Sequence, residues 1–576
     1  MSSTILKNLG AGFLLVSFCN LLHANLITAS DASGWSGFGY SVAQNGNYAL
    51  VGANMKDDKG AVYLYDLADN YKEIKITASD GKYSDAFGTS VSINGNLVFV
   101  GASIRGTNVG AVYIYDLNSS LPNYGQIILT ASVSSKEQFG HSVSQSGNYA
   151  LVGAWARNTN TGAAYVYNLS NSANNYGEIR LTASDGRSYD GFGYSVSQSG
   201  NYALVGTNGA DAAYVYNVSN SANNYGEIKL TATGLGSGNN FGKSVSQSGS
   251  YALVGASGKP TNAGAAYVYD VSNSANNYGE IKLSASDAVN GNQFGWSVSQ
   301  SGNYALVGAR GKSSDTGAAY LYDISNPDNN YGEIKITASD AANPASGGYF
   351  GHSVSIDGDN FIVGAYGLLN RPGLVYSGTV SSISTLDDGT SKIISGISFK
   401  SKRDWIIGKT VSGNIVTLSA GDTADVTEAG KAVYIGKESG SNNNALIIRG
   451  TLKANEVVVG AVGNSGNQLY IADTGDISDV ADVYLHKGSG IFFEDENNFF
   501  DAFGDTILHM LDENNAWTVV SSANYDDLIG RGILSVTVDA MGMMVGYGIV
   551  PIPEPAEIAT LLGLLALGFA AYRKRK

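Results

Sequence analysis

The chain has 576 residues, 14% of them charged, with 74 Gly, 36 Tyr and 8 Pro. Charge this sparse among so many aromatics excludes a disordered chain, and Gly without a period of three or abundant Pro excludes collagen. The formal charge of −15 disfavours nucleic-acid binding, which needs clustered Lys and Arg. The single Cys, Cys19, lies in the leader, so the rest of the chain has no disulfide, Cys-bound zinc or thiol nucleophile.

Residues 1–24 carry one early cation, Lys7, then an apolar run from Phe13 to Leu22, then His23-Ala24. This is the pattern of a secretory signal peptide, with cleavage expected after Ala24. Lipid attachment at Cys19 fits poorly, because Phe18 directly precedes it.

From residue 25 to 380 the chain repeats. Phe-Gly, one variable residue and Ser-Val recur at Phe38-Gly39, Phe87-Gly88, Phe139-Gly140, Phe192-Gly193, Phe241-Gly242, Phe294-Gly295 and Phe350-Gly351, spaced by 49 to 56 residues. A period near 50 is that of propeller blades. Each copy offers four short strands: Ser-Val-Ser and Tyr-Ala-Leu-Val flanking a Ser-Gly-Asn turn, then Ala-Tyr-Val-Tyr, then a half-exposed Glu-Ile-Lys-Leu-Thr. The Thr-Ala-Ser-Asp segment begins before the first Phe-Gly, at Leu26 to Asp31, and is missing after the seventh. The N-terminal segment is therefore expected to complete the last blade and close the ring.

These Phe-Gly and Val-Gly-Ala motifs resemble the FG-GAP family, the propeller repeat also found in the head of integrin α subunits. The resemblance implies an all-β, seven-bladed β-propeller over 25–380. The integrin relatives often carry a calcium loop in the hairpin after Phe-Gly. Here those hairpins read Gln-Ser-Gly-Asn, as at Gln145 to Asn148, without a carboxylate, and only Asp357-Gly-Asp359 keeps a remnant. No metal or cofactor is expected.

Residues 381–548 change character. Tyr434-Ile-Gly436, Val458-Val-Gly460 and Val483-Tyr-Leu485 recur at 24–25 residues, with Asn- and Gly-rich turns between. This resembles two to three coils of a parallel β-helix or β-roll, with a small β-sandwich as the alternative. Phe499 to Leu511 reads as a short amphipathic helix capping the stack.

The end of the chain, 551–576, holds Pro553-Glu554-Pro555, an apolar run from Ile558 to Tyr572 and the basic Arg573 to Lys576. It resembles the PEP-CTERM sorting signal of Gram-negative bacteria. That family's tail is a transmembrane helix recognised by an exosortase, a membrane protease. The resemblance implies an exosortase-like partner, transient inner-membrane anchoring and an address at the cell surface or extracellular matrix.

No catalytic residue stands out. His141 and His352 share a repeat position with Tyr40, Thr89, Tyr194, Lys243 and Trp296, which reads as a variable loop site with a structural or surface role. Asp31, Asp80, Asp185, Asp287 and Asp340 read as turn caps rather than a cation-binding ring. Tyr124, Tyr176, Tyr225, Tyr278 and Tyr331 read as packing anchors. The expected protein is a non-enzymatic surface or matrix protein whose propeller binds a protein or exopolysaccharide. One alternative is a secreted polysaccharide-acting enzyme, with candidate carboxylates at Asp473, Asp476 and Glu494. The other is a purely structural surface-layer or spacer protein.

Overall fold

The computed structural model describes residues 26–549 apart from internal stretches, of which 339–347, 494–506 and 520–533 are the longest. Ala24, Pro553, Glu554, Pro555 and the expected membrane helix lie outside the described residues. Among the described residues, no helix is long and apolar enough to cross a membrane.

The first repeat shows how these residues make a blade. After β1 (Leu26–Ile27) come β2 (Phe38–Asn45), β3 (Tyr48–Ala53), β4 (Ala61–Asp66) and β5 (Lys72–Ile76), and β2 to β5 form one antiparallel sheet. A two-residue loop opened by Gly46, at φ 53°, joins β2 to β3, as a tight hairpin requires. β3 and β4 are buried on both faces because each blade packs between two others, whereas β5 is partly exposed.

The Phe-Gly pair works at the blade's entrance. Phe87 packs edge-on against Tyr113 and Tyr115 of its own repeat, at ring-centroid distances of 5.2 and 6.3 Å. Gly88 sits at φ 90°, and a Cβ there would lie 2.7 Å from the Ala61 carbonyl of the preceding blade. The same pattern holds at the other Phe-Gly pairs. Phe38, Phe139, Phe192, Phe241, Phe294 and Phe350 each meet a Tyr of their own third strand. Gly39, Gly140, Gly193, Gly242, Gly295 and Gly351 all have positive φ.

The ring closes as the repeat arithmetic requires. β1 pairs with Leu374–Thr379 of the seventh repeat, Leu26 opposite Tyr376 and Ile27 opposite Val375. One apolar cluster joins Ile27, Phe38, Tyr63 and Tyr65 to Ile362 and Val375. Ser353 Oγ donates to the Gly39 carbonyl at 2.8 Å, the contact that Ser41 makes to Gly88 between the first two repeats.

The expectation of seven independent blades needs correction, because six sheets stand as separate four-stranded blades. The sixth repeat's strands, Phe294–Ser301, Tyr304–Ala309, Ala318–Asp323 and Ile334–Ala338, pair in the same order but open a thirteen-stranded sheet. The cause is at the outer edge. Ile334–Ala338 pairs antiparallel with Ile397–Ser401, so chain from beyond the ring extends this blade.

Beyond the ring the strands stack in parallel, as the β-helix reading expected and the β-sandwich alternative did not. Ser391–Ile394, Ile415–Leu418, Ala445–Ile448, Gln468–Ile471 and Gly490–Phe493 form one ladder. Inside the stack, Asn444 donates from its backbone and side-chain nitrogens to Asn467 Oδ1 and accepts from both nitrogens of Asn414. The capping helix expected over 499–511 is not formed at its end: Ile507–Leu511 is a strand, parallel to Asp476–Leu485. The rest of that segment lies outside the described residues. An exposed backbone ladder on the previous coil outweighs local helical periodicity.

Candidate functional site

Three positions per repeat meet at one end of the ring. In an antiparallel blade the first strand starts where the second ends. The residues before and after Phe-Gly, and the one after Val-Gly-Ala, therefore gather at the same end. The Ser-Gly-Asn hairpins lie at the other. Strand cores are nearly identical from copy to copy, but these three positions are not.

At this end the side chains converge. His141 lies 4.6 Å from the Tyr194 ring of the next repeat and 5.9 Å from Trp155. Lys243 sits over Tyr194 at 5.9 Å and over Trp296 at 4.4 Å. Arg310 stacks 3.1 Å from the Trp296 centroid. Trp296 lies 6.0 Å from His352, which in turn lies 5.3 Å from Tyr40 and 5.0 Å from Tyr366. Tyr194 of the fourth repeat feels Tyr40 of the first, and both feel Arg310. The contacts step from the third repeat through the fourth, fifth, sixth and seventh to the first, so the group lines the axial opening.

The site is deep yet reachable, since Tyr40, His141, Tyr194, Lys243, Trp296, Arg310 and His352 all retain some accessible surface. Burial pulls the His141 pKa down to about 4. Burial, then the Arg310 charge, pulls His352 to about 3. Both rings are therefore neutral at pH 7. Burial raises Tyr194 to about 12. Lys243 is lowered by burial and by Arg310, and Arg310 mainly by burial. The variable position is thus not a loop surface, which corrects the sequence reading: substitution there changes the lining of one opening. Thr89, at this position of the second repeat, donates to the Ala86 carbonyl at 2.7 Å.

The flanking positions complete the lining. Gln138 accepts from Trp155 Nε1 at 3.0 Å, and Gln293 accepts from Arg310 Nε at 2.8 Å. In the first repeat Gly37 stands where those Gln residues are, and Asn54 Oδ1 is buried without a hydrogen bond. Ser257 Oγ, at the same position of the fifth repeat, and His352 Nδ1 are likewise buried and unpartnered.

The repeated Asp residues lie at the same end, where Asp80 and Asp185 take a bond from their own backbone as turn caps do, and they also act between blades. Asp31 accepts from Tyr63 OH at 2.6 Å and from Lys75 at 2.6 Å. Asp80, Asp185 and Asp287 accept in the same way from Tyr113, Tyr214 and Tyr320, each paired with a cation. Burial would raise the Asp31 pKa, but the bonds from Lys75 and Tyr63 bring it down to about 2. In the third blade Glu137 takes the role, accepting from Tyr165 and Arg157. Asp340 lies outside the described residues.

A second clamp escaped the sequence reading. Glu227 accepts from Ser184 of the preceding blade and from Tyr216, and Glu73, Glu178, Glu280 and Glu333 repeat the pattern. Its signal was a Glu recurring after Tyr-Gly. The Tyr124, Tyr176, Tyr225, Tyr278 and Tyr331 anchors pack against inter-blade cores, as expected.

At the hairpin end the chemistry is plainer. A shallow hollow of about 290 Å³ is lined by Asn45 to Tyr48, Asp66, Ala68, Gly95 and Asn96, with no Lys, Arg or His among them. Asp357 accepts from Gly46 N and Asp359 from Ser381, so both carboxylates of the hairpin remnant are engaged. Among the described residues, no three His, Cys, Asp or Glu are grouped to hold a metal.

These features define an all-β propeller with a built axial opening, the architecture of a surface or extracellular binding protein. The FG-GAP repeat family model matches residues 24–65, 71–115, 126–167, 177–225, 226–269, 279–322 and 332–380, and the chain belongs to that family. No curated protein matches it. Among solved structures, the β-propeller domain of Myceliophteria thermophila Cps50 (Swd1) aligns with 62% of this chain and 100% of its own at 12% identity and a TM-score of 0.38.

Proposed function

We propose that this is an exported bacterial protein of the cell surface or extracellular matrix. It is not an enzyme, and its propeller binds a surface partner through the axial opening. The sixth repeat counts as a blade in this reading, giving seven around the axis. The observation that carries the proposal is the convergence of blade-specific residues, Tyr40, Tyr194, Lys243, Trp296, Arg310 and His352, in a ring otherwise built of near copies. A purely structural spacer needs no such asymmetry. A glycoside hydrolase needs two carboxylates facing one pocket, and the groups that converge here are aromatic, imidazole and cationic.

The address rests on the chain's ends. The leader to Ala24 sends the chain out, and the tail with Pro553-Glu554-Pro555 holds it for an exosortase-like protease. Nucleic acid is not a partner of so acidic a protein. The test is binding of the purified mature protein to polymer stripped from the surface of the producing cells. Binding that is lost in a Tyr194→Ala, Trp296→Ala double variant with an unchanged melting temperature supports the proposal. Equal binding by both proteins refutes the axial site.

A further inference from the structure

The axial opening combines three kinds of group, and together they specify a ligand. The first is flat aromatic surface. Trp155 meets Tyr194 and Tyr40 meets Tyr366 edge-on, so these rings do not cover each other's faces, while Trp296 meets His352 at a tilt and carries the cations on its face. Such faces stack on apolar, flat surfaces, including the C–H faces of pyranose rings.

The second is uncompensated positive charge. Lys243 and Arg310 both lie over Trp296, repel each other and are partly desolvated. Neither is among the ion pairs of the described residues, whereas Arg105, Arg157, Lys229 and Lys335 at the same end each hold a carboxylate. Asp315 acts on Arg310 electrostatically, and the two are not among the ion pairs of the described residues. Two cations held together without an anion, in a chain of net charge −15, favour a ligand that brings one.

The third is unmet hydrogen bonding. His352 Nδ1, Asn54 Oδ1 and Ser257 Oγ are buried without partners, although buried polar groups are normally bonded. A simple inorganic anion would satisfy the cations but not these dispersed acceptors and donors. A peptide would satisfy them only with backbone groups fixed in register, and the inner strand edges already spend N–H groups on Ser hydroxyls of the preceding repeat, as Val196 N does on Ser142 and Gln198 N on Ser144. A hydroxylated ring satisfies all three kinds at once.

We propose that the axial opening binds a carboxylate-bearing sugar, a uronate unit of an acidic polysaccharide, with its ring on Tyr194 and its carboxylate at Arg310 and Lys243, which Trp296 holds in place. This rests on the axial site proposed above and assigns its ligand class. His141 and His352 serve as neutral partners for hydroxyl groups.

The experiment titrates the purified mature protein with trigalacturonate, with neutral maltotriose and with hexa-aspartate, following tryptophan fluorescence and heat of binding. Trigalacturonate is expected to bind and to perturb the fluorescence. Binding is expected to weaken by about tenfold or more in Arg310→Gln and in Lys243→Gln, since each removes a charge-assisted hydrogen bond, and to weaken with added salt. The salt series on the wild-type protein needs no variant and stands if a variant misfolds. Equal affinity for maltotriose, tighter binding of hexa-aspartate, or no binding of trigalacturonate overturns the uronate assignment. The axial site itself fails separately, if the double variant still binds stripped surface polymer.

Discussion

Removing residues 25–31 tests how the ring is closed. The deletion takes away β1, whose Ile27 is 2% exposed in the cluster between the seventh and first repeats. Burial of one such side chain contributes about 2 kcal/mol. The deletion also removes Asp31, which faces Lys56 at 3.4 Å and accepts from Tyr63. Lys56 is only 6% exposed and would lose Asp31 while keeping Asp57 at 3.6 Å. Removing one partner of a buried ion pair costs several kcal/mol, on the order of 3. The backbone edge of Leu374–Thr379 is freed as well. A loss on the order of 5 kcal/mol follows, which at roughly 2 °C per kcal/mol lowers Tm by about 10 °C. Thermal unfolding by circular dichroism, against a chain starting at Asn25, measures it. A Tm within 2 °C of the intact chain would refute the reasoning.

Three further outcomes follow from named contacts. Stability should fall steadily as pH drops from about 6.5 toward 2. His141 and His352, with folded pKa values of about 4 and 3, resist a proton that the unfolded chain accepts below its value near 6.5. Asp31 and Asp287, held to about 2, then lose their bridges at the acid end; flat urea midpoints between pH 7 and 4 would contradict this. Gly351→Ala should cost about 2–3 kcal/mol or more, because a Cβ there meets the Ala318 carbonyl at 2.3 Å and the backbone sits at φ 83°; an unchanged urea midpoint would show that the blades slide apart freely. Asn444→Ala should destabilise the stacked coils by about 2 kcal/mol, since both Asn414 and Asn467 lose a buried partner. Hydrogen exchange faster in 415–471 but unchanged in the propeller would bear that out, and uniform protection would not.

The propeller was legible because its signals are local and repeated. Phe-Gly, the turn residues and strand alternation lie within one copy, and counting Thr-Ala-Ser segments gave β1 its partner in the seventh repeat. The axial site was hidden by the same regularity. Variation among Tyr40, His141, Tyr194, Lys243, Trp296 and His352 looks like tolerance along the chain. It becomes a composite lining only when the ring brings distant repeats together. The inter-blade role of the Asp residues was hidden for a similar reason: the Tyr that Asp31 meets is 32 residues away, in the next blade. The extended sixth blade left no trace either, since pairing of Ile334–Ala338 with Ile397–Ser401 depends on where the stacked coils return.

The central claim, that ligand enters at the Phe-Gly end of the ring, is tested most directly by a hydrogen-exchange footprint of the mature protein with and without its stripped surface polymer. The account predicts slower exchange in the segments around Tyr40, Tyr194, Lys243, Trp296 and His352, and no change in the hairpins near Gly147, Gly200 and Gly302. Protection confined to those hairpins or to the stacked coils after residue 380 would contradict it.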